Sequence, residues 1–188
     1  MHFCCLLLLA YSATLAGCIT IGESAKERSL AENFSGNPHI EGSYFARGTG
    51  QWWNGRSFQK ISGNLGSLFR SEGDRFGFKC DRVTFREERD GVLTVWFQLN
   101  GEPGHLLRFV PGSNYSKTAA WISLKMKRSP EGGEESEDVE LLLALDNSGK
   151  LCVVERKDFI MVTGIGIPIV PVRSKSVSAY SFDPIPHP

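Results

Sequence analysis

Residues 92–99 read VLTVWFQL, and this stretch decides the fold class. Apolar side chains recur at every second position from Leu93 to Leu99, which is the pattern of a half-buried β-strand. The turn-forming pairs Asp90-Gly91 and Asn100-Gly101 stand on either side of the stretch. Because such pairs join antiparallel strands, the stretch predicts one strand of a series of β-hairpins.

The same two-residue period extends over most of the chain. It predicts further strands over 39–47, 76–86 (with a β-bulge where the apolar positions change parity), 106–110, 119–128, 139–145, 151–156 and 174–182, and 65–70 predicts one short helix. Strands with one apolar face and short connections indicate an all-β antiparallel meander. We expect this meander to form a small closed or half-closed barrel.

The overall composition is that of an ordinary globular domain. The chain has 188 residues, of which 41% are hydrophobic and 22% charged, and its 21 basic side chains balance 21 acidic ones. This length suits one folded domain. A formal net charge of zero argues against a nucleic-acid partner, which would require a basic excess or stripe.

The first residues form an export signal. Residues 2–16 are apolar and uncharged, and the first charged side chain is that of Glu23. A transmembrane helix needs about 20 such residues, so the stretch is instead typical of the hydrophobic region of a signal peptide. No Lys or Arg precedes it, so the α-amino group would have to supply the positive charge that normally holds this end in the cytoplasm.

The stretch ends in Leu15-Ala16-Gly17-Cys18, which resembles the lipobox of bacterial lipoproteins. The resemblance implies that residues 1–17 are removed and that Cys18 carries a diacylglyceryl group as the first mature residue. Ile19 stands where Asp would signal retention in the inner membrane, so we expect an outer-membrane protein facing the periplasm. The alternative is an ordinary signal peptide or N-terminal anchor in which Cys18 occurs by chance.

The mature chain divides into three parts. Residues 18–38 are small and polar, which predicts a flexible tether behind the lipidated cysteine. The strand-rich residues 39–183 form the predicted β domain, and residues 184–188 form a Pro-rich tail.

Short motifs in the β domain suggest a second resemblance. Gly42-x-Tyr44 is similar to the Gly-x-Trp start of lipocalin-type barrels. The segments 66–69 (GSLF) and 150–154 (KLCVV) resemble corresponding parts of a group of small bacterial lipoproteins. The resemblance implies a barrel-like β fold and no particular activity.

Two cysteines remain in the β domain, Cys80 and Cys152. In an exported protein they can form one disulfide bridge, or they can be two buried free thiols. Neither has a second Cys or His at the spacing of a zinc site, so we expect no metal.

Catalytic motifs are absent from the sequence. The chain contains no Gly-x-Ser-x-Gly, no phosphate-binding Gly-x-x-x-x-Gly-Lys-Ser/Thr and no His-Glu-x-x-His. We therefore expect a protein that is not an enzyme and that needs no cofactor.

Four tryptophans are candidates for ligand or partner contact. Trp52 and Trp53 fall in a loop-like segment, residues 51–56, where they can bind a partner or close the end of the barrel. Trp96 and Trp121 each lie opposite the aliphatic stripe of their strand. They are either buried under a covering loop or form an outward aromatic patch.

The uncharged segment 159–172 is the third apolar candidate. It carries two glycines and two prolines, Gly164, Gly166, Pro168 and Pro171. It is either a buried strand pair or a tip that contacts ligand, lipid or a partner through Ile165 and Ile167.

These features together predict a membrane-anchored envelope lipoprotein that acts as a non-catalytic binding or interaction module. Its ligand would be an apolar molecule or another envelope protein. The alternatives are a structural or assembly lipoprotein without a ligand, and an envelope hydrolase whose residues come together only in space.

Overall fold

Strands dominate the computed structural model of the protein. The structure describes residues 37–53, 57–69, 78–128, 137–163 and 170–186. Of residues 53, 159–163 and 170–175 it describes the backbone only. All of these residues lie in the compact unit Phe34–Pro188. The described elements are β1 (Gly42–Phe45), β2 (Arg47–Trp53), β3 (Phe58–Asn64), α1 (Leu65–Leu68), β4 (Arg82–Glu87), β5 (Leu93–Leu99), β6 (Glu102–Phe109), β7 (Tyr115–Lys117), β8 (Ile122–Arg128), β9 (Glu137–Leu145), β10 (Leu151–Thr163) and β11 (Val170–Phe182).

The strands form two sheets. One has the order β1-β4-β5-β6, and the other has the order β3-β2-β11-β10-β9-β8-β7. Every strand pair in them is antiparallel. The predicted all-β antiparallel fold with one short helix is confirmed. The hydrogen bonds of the described strands do not close them into one barrel.

The chain passes between the two sheets at Ala46. This residue is fully buried, its N–H donates to the Asp81 carbonyl (2.9 Å), and its carbonyl accepts from the Leu65 N–H (2.8 Å). The single strand predicted over 39–47 is therefore wrong, since β1 and β2 belong to different sheets. Alternation alone cannot reveal such a corner, because both neighbouring strands keep the same two-residue period.

Other strand boundaries also differ from the predictions. The strand predicted over 76–86 begins only at Arg82, so the change of parity before Val83 marks the start of the strand instead of a β-bulge. Strands β10 and β11 each extend over 13 residues, well beyond the predicted ranges. The β5 prediction is close to the observed strand, and the Asn100-Gly101 turn is confirmed, with φ of 54° and 82° and Leu99 opposite Glu102.

The apolar faces of both sheets meet in one core. Phe69 lies at its centre, with ring centroids 6.0, 5.5 and 6.0 Å from those of Phe85, Phe97 and Phe109. The seven-stranded sheet adds an aliphatic layer, made of Ile122, Leu124, Val139, Leu141, Leu143, Leu151 and Val153. The interior between the sheets is thus filled by the chain's own side chains.

Helix α1 positions Phe69 in this core. The Asn64 side chain caps the helix by accepting from the Ser67 N–H (3.2 Å). Leu65 and Leu68 are buried, and Phe69 follows directly at the C-terminal cap. The helix predicted over 65–70 is confirmed in this shorter form.

The β10–β11 hairpin extends beyond its neighbours. Pairing of β10 with β9 ends at Asp158, whereas its pairing with β11 continues to Thr163 opposite Val170. The backbone of residues 159–163 and 170–172 therefore forms a strand pair, while the predicted burial of its side chains lies outside the described part of the chain. Residues 164–169 lie outside the described part of the chain.

Candidate functional site

The candidate site lies at the β4–β5 hairpin of the four-stranded sheet. Its turn is closed by hydrogen bonds from the Glu88 N–H to the Val92 carbonyl (2.8 Å) and from the Gly91 N–H to the Glu88 carbonyl (2.9 Å). Gly91 has a φ of 78°, a conformation that favours glycine, and the Asp90 carboxylate accepts from the Val92 N–H (3.2 Å). The Asp90-Gly91 pair therefore fixes the turn.

Strand alternation divides the hairpin into an inner and an outer face. Val83 and Phe85 are buried in the core, so Thr84 and Arg86 belong to the outer face. The register places Trp96 of β5 opposite Thr84, and Thr94 opposite Arg86. Trp96 is 42% exposed, which corresponds to the outward alternative for this tryptophan.

An open cleft of about 510 Å³ lies beside this outer face, and we call it the β4–β5 cleft. Its lining residues are Arg86, Glu87, Glu88, Arg89, Asp90, Thr94 and Trp96. Thr94 is almost fully buried at 1% exposure, and its hydroxyl donates to the Arg86 carbonyl (3.0 Å). The cleft thus combines one aromatic side chain with both acidic and basic groups.

Two of the acidic side chains are held in ion pairs. Lys117 Nζ lies 2.6 Å from Glu87 Oε2, and Arg108 Nη2 lies 3.2 Å from Glu88 Oε2. The hydrogen bond to Glu87 raises the pKa of Lys117. Because Lys117 belongs to β7 and Glu87 to β4, the first pair also connects the two sheets.

The two arginines of the cleft are in a different situation. Both Arg86 and Arg89 are exposed, and neither makes an ion pair with any residue in the described ranges. An exposed guanidinium group can donate two parallel hydrogen bonds to a carboxylate or phosphate group.

Further apolar side chains are exposed on the four-stranded sheet. Leu106 of β6 lies opposite Trp96 and is 43% exposed, while Phe45 of β1 is 48% exposed. Both side chains lie on the outer face of the four-stranded sheet, as their register shows. This face thus carries an aromatic and aliphatic surface beside a charged cleft.

The remaining predicted tryptophans lie elsewhere. Trp52 and Trp53 belong to strand β2, so the loop-like segment predicted for them is wrong at these two positions. Trp52 is 39% exposed, and the side chain of Trp53 is outside the described part. Trp121 is half-buried in the turn before β8, where its backbone N–H donates to Thr118 Oγ1 (3.1 Å). The structure therefore does not bring these residues into the β4–β5 cleft.

Both cysteines of the β domain are free thiols in this structure, so the bridge that the sequence left open is not formed between them. Cys80 lies against Gly66 of α1, whereas Cys152 of β10 hydrogen-bonds with Ser181 of β11. Burial raises the pKa of each thiol to about 11.

Three of the positions predicted from the sequence have no described structure. Cys18, Ile165 and Ile167 all lie outside the described residues.

A buried charged cluster was missed by sequence reasoning. Arg128 Nη1 lies 2.5 Å from Glu155 Oε1, with both side chains at most 3% exposed. Arg128 Nη2 also donates to the Leu68 carbonyl at the end of α1, and Tyr180 Oη lies 3.4 Å from Glu155 Oε2. Burial, together with the Glu155 charge, raises the pKa of Tyr180 to about 12. The sequence feature that could have revealed this cluster is strand alternation, which places Arg128 on the inward face with Leu124 and Glu155 on the inward face with Val153.

The described part of the chain shows neither a metal-binding group of three or more His, Cys, Asp or Glu residues nor a helix long and apolar enough to span a bilayer. No protein-family model, curated protein or solved structure matches the chain.

Proposed function

We propose that this chain is a lipid-anchored envelope lipoprotein whose β domain is a non-catalytic binding module. The observation that carries the binding role is the open β4–β5 cleft, with an exposed tryptophan and two arginines that have no ion-pair partner among the described residues. Exposed aromatic and arginine side chains are the groups that most often dominate binding energy at protein surfaces.

The anchor part of the proposal rests on Leu15-Ala16-Gly17-Cys18 behind an uncharged apolar stretch. Each buried methylene of an acyl chain contributes about 0.8 kcal/mol, so two or three chains would hold the domain stably on the membrane. We propose the periplasmic face of the outer membrane as its location, on the basis of Ile19.

The anchor is tested by growing bacteria that express the chain with labelled palmitate. We expect the unmodified chain to carry label and Cys18→Ser to remain an unlabelled precursor. Cys152→Ser is the matched control and should be labelled normally. A labelled Cys18→Ser protein that still partitions into detergent would contradict the anchor.

The ligand is expected on the outer face and not in an apolar cavity inside the domain. The core is occupied by packed aromatic rings, with Phe69 5.5 Å from Phe97 and Phe78 4.6 Å from Phe97. Such packing is typical of a filled interior. The ligands predicted from the sequence are an apolar molecule or another envelope protein, and these contacts disfavour an apolar molecule carried inside the domain.

We further propose that the two sheets behave as a half-closed barrel. The segment that follows β11 hydrogen-bonds with β1, since Phe45 N–H donates to the Asp183 carbonyl (3.0 Å) and Ile185 N–H donates to the Ser43 carbonyl (2.8 Å). These bonds join the sheets at one corner, as strands of a partly open barrel would.

The binding role is tested with envelope fragments of the source bacterium. The fragments are extracted with detergent, so that the acyl anchor cannot insert, and are mixed with the purified chain. We expect the unmodified chain to sediment with the fragments and Trp96→Ala to remain largely in solution. Trp52→Ala is the matched control, because Trp52 is 39% exposed on the other sheet.

Two results would contradict this role. Equal sedimentation of Trp96→Ala and the unmodified chain would exclude the outer-face cleft as the binding site. Failure of the unmodified chain to sediment would favour the structural or assembly alternative.

A further inference from the structure

The lining of the β4–β5 cleft combines apolar surface with charged groups, which indicates a ligand that has both an apolar face and polar groups. Trp96 is its one apolar side chain, and the other six lining residues are charged or carry a hydroxyl. Protein and peptide partners gain most of their affinity from aromatic and arginine side chains in pockets that exclude water, whereas this cleft is open to solvent. An open cleft with a single aromatic side chain suits a ligand that is itself rich in hydrogen-bonding groups.

The two arginines indicate that this ligand carries negative charge. The neighbouring cations Lys117 and Arg108 are already paired with Glu87 and Glu88. Arg86 and Arg89, in contrast, have no ion pair within the described residues, and the third carboxylate of the cleft, that of Asp90, accepts the Val92 N–H in the turn. A guanidinium binds a carboxylate or phosphate group most strongly, because it donates two parallel hydrogen bonds.

The two glutamates indicate hydroxyl groups on the same ligand. Each ion pair uses the Oε2 atom of its carboxylate. The Oε1 atom retains lone pairs that can accept a hydroxyl proton. Unless a hydroxyl group of the ligand donates to them, the carboxylates of Glu87 and Glu88 would repel an anionic ligand.

We infer that the β4–β5 cleft binds an acidic saccharide, that is, a sugar ring that bears a carboxylate or phosphate. The C–H face of the ring packs on the electron-rich face of the Trp96 indole. The anionic group lies between Arg86 and Arg89, and ring hydroxyls donate to Glu87 and Glu88. The inference rests on the proposed binding role of this cleft and adds the chemical class of the ligand.

The test uses the full chain in detergent and three probes: trigalacturonate, neutral maltotriose and hexaglutamate. Binding is measured by isothermal titration calorimetry and by tryptophan fluorescence. We expect trigalacturonate to bind at least about tenfold more tightly than maltotriose, which lacks the charged contact to the arginines. We expect the same margin over hexaglutamate, which has carboxylates but no sugar ring to pack on Trp96. The affinity for trigalacturonate should fall as salt rises from about 0.05 to 0.5 M, because the arginines are exposed.

Variants assign the binding to the cleft. Trp96→Ala and the double variant Arg86→Ala/Arg89→Ala should each weaken trigalacturonate binding about tenfold or more. Trp52→Ala and Arg82→Ala are the matched controls, since Arg82 is exposed on β4 but does not line the cleft. Both controls should bind like the unmodified chain. The comparison of the three probes uses the unmodified chain, so it tests the class of ligand even where a variant fails to fold.

Three results would overturn the inference. Equal affinity for maltotriose and trigalacturonate would show that the anionic group does not contribute to binding. Tighter binding of hexaglutamate would show that the ligand is an acidic peptide instead of a saccharide. Absence of trigalacturonate binding, in a chain whose sedimentation with envelope fragments still depends on Trp96, would reject the saccharide and leave the proposed binding role intact. Loss of that dependence would instead reject the binding role itself.

Discussion

At the scale of single residues, the two thiols of the β domain illustrate what burial does to reactivity. Cys80 and Cys152 lie in separate places, one against α1 and one on β10. Burial is the largest cause of the raised pKa at both, since it disfavours the charged thiolate. Both thiols are therefore expected to be structural and poorly nucleophilic.

We predict slow alkylation of both thiols in the folded protein. Because each pKa rises from 9.0 to about 11, the thiolate fraction at pH 8 falls about 100-fold. The rate of iodoacetamide labelling should therefore be at least that much lower in the folded chain than in denaturant. The measurement is mass spectrometry of time points. Absence of labelling in denaturant without reductant would show that the two cysteines are bridged.

At the scale of elements, the Arg128–Glu155 pair connects three of them. Arg128 lies at the end of β8, Glu155 lies on β10, and Arg128 also binds the carbonyl of Leu68 in α1. A buried charge without its partner is strongly unfavourable, because the protein interior solvates it poorly. The position of α1 over the core is therefore expected to depend on this pair.

We predict that Glu155→Ala and Arg128→Ala each lower the free energy of unfolding by about 3–5 kcal/mol. The double variant Arg128→Ala/Glu155→Ala should lose less than the sum of the single losses, since it leaves neither of the two buried charges without its partner. Urea denaturation of the four proteins measures this coupling. Lys150→Ala, which breaks the exposed pair with Asp183, serves as the control and should have little effect. Additive losses would contradict the coupling.

At the scale of the whole molecule, buried acids with raised pKa values occur in both sheets. Tyr44 of β1 donates its hydroxyl proton to the Ile40 carbonyl (3.0 Å), and burial raises its pKa to about 12. Tyr180 of β11 has a pKa of about 12 for the same main reason. The folded chain therefore holds protons that the unfolded chain releases at lower pH.

We predict that the melting temperature of the protein falls as the pH rises from about 10 to about 12. The folded pKa values of Tyr44 and Tyr180 lie near 12 and the ordinary value is 10.0, so the stabilisation is complete below pH 10 and disappears as the pH rises to about 12. The thiols act in the same direction between 9.0 and about 11. Circular dichroism melts from pH 7 to pH 12 measure the loss. Tyr44→Phe should show a smaller decrease, and an unchanged decrease would contradict the role of Tyr44.

The sequence by itself determined that the domain is an all-β antiparallel structure, although no strand was predicted over β3 or β7. The period of two in VLTVWFQL identified β5 and its buried face, and the Asn100-Gly101 pair identified the following turn, whereas the exposure of Trp96 came only from the structure. These features are local, because side-chain alternation and turn conformation depend on neighbouring residues. For the same reason, the candidate lipidation site at Cys18 could be proposed from a four-residue motif.

Only the tertiary structure decided how the strands are grouped and which side chains meet. The division at Ala46 between two sheets depends on its hydrogen bonds with Asp81 and Leu65, which are both distant from Ala46 in the sequence. The β4–β5 cleft depends likewise on Lys117 of the other sheet, which holds Glu87 in place. Charged residues such as Arg86 and Glu87 look like ordinary surface residues in the sequence, because their pairing is set by distances across the fold and not by spacing along the chain.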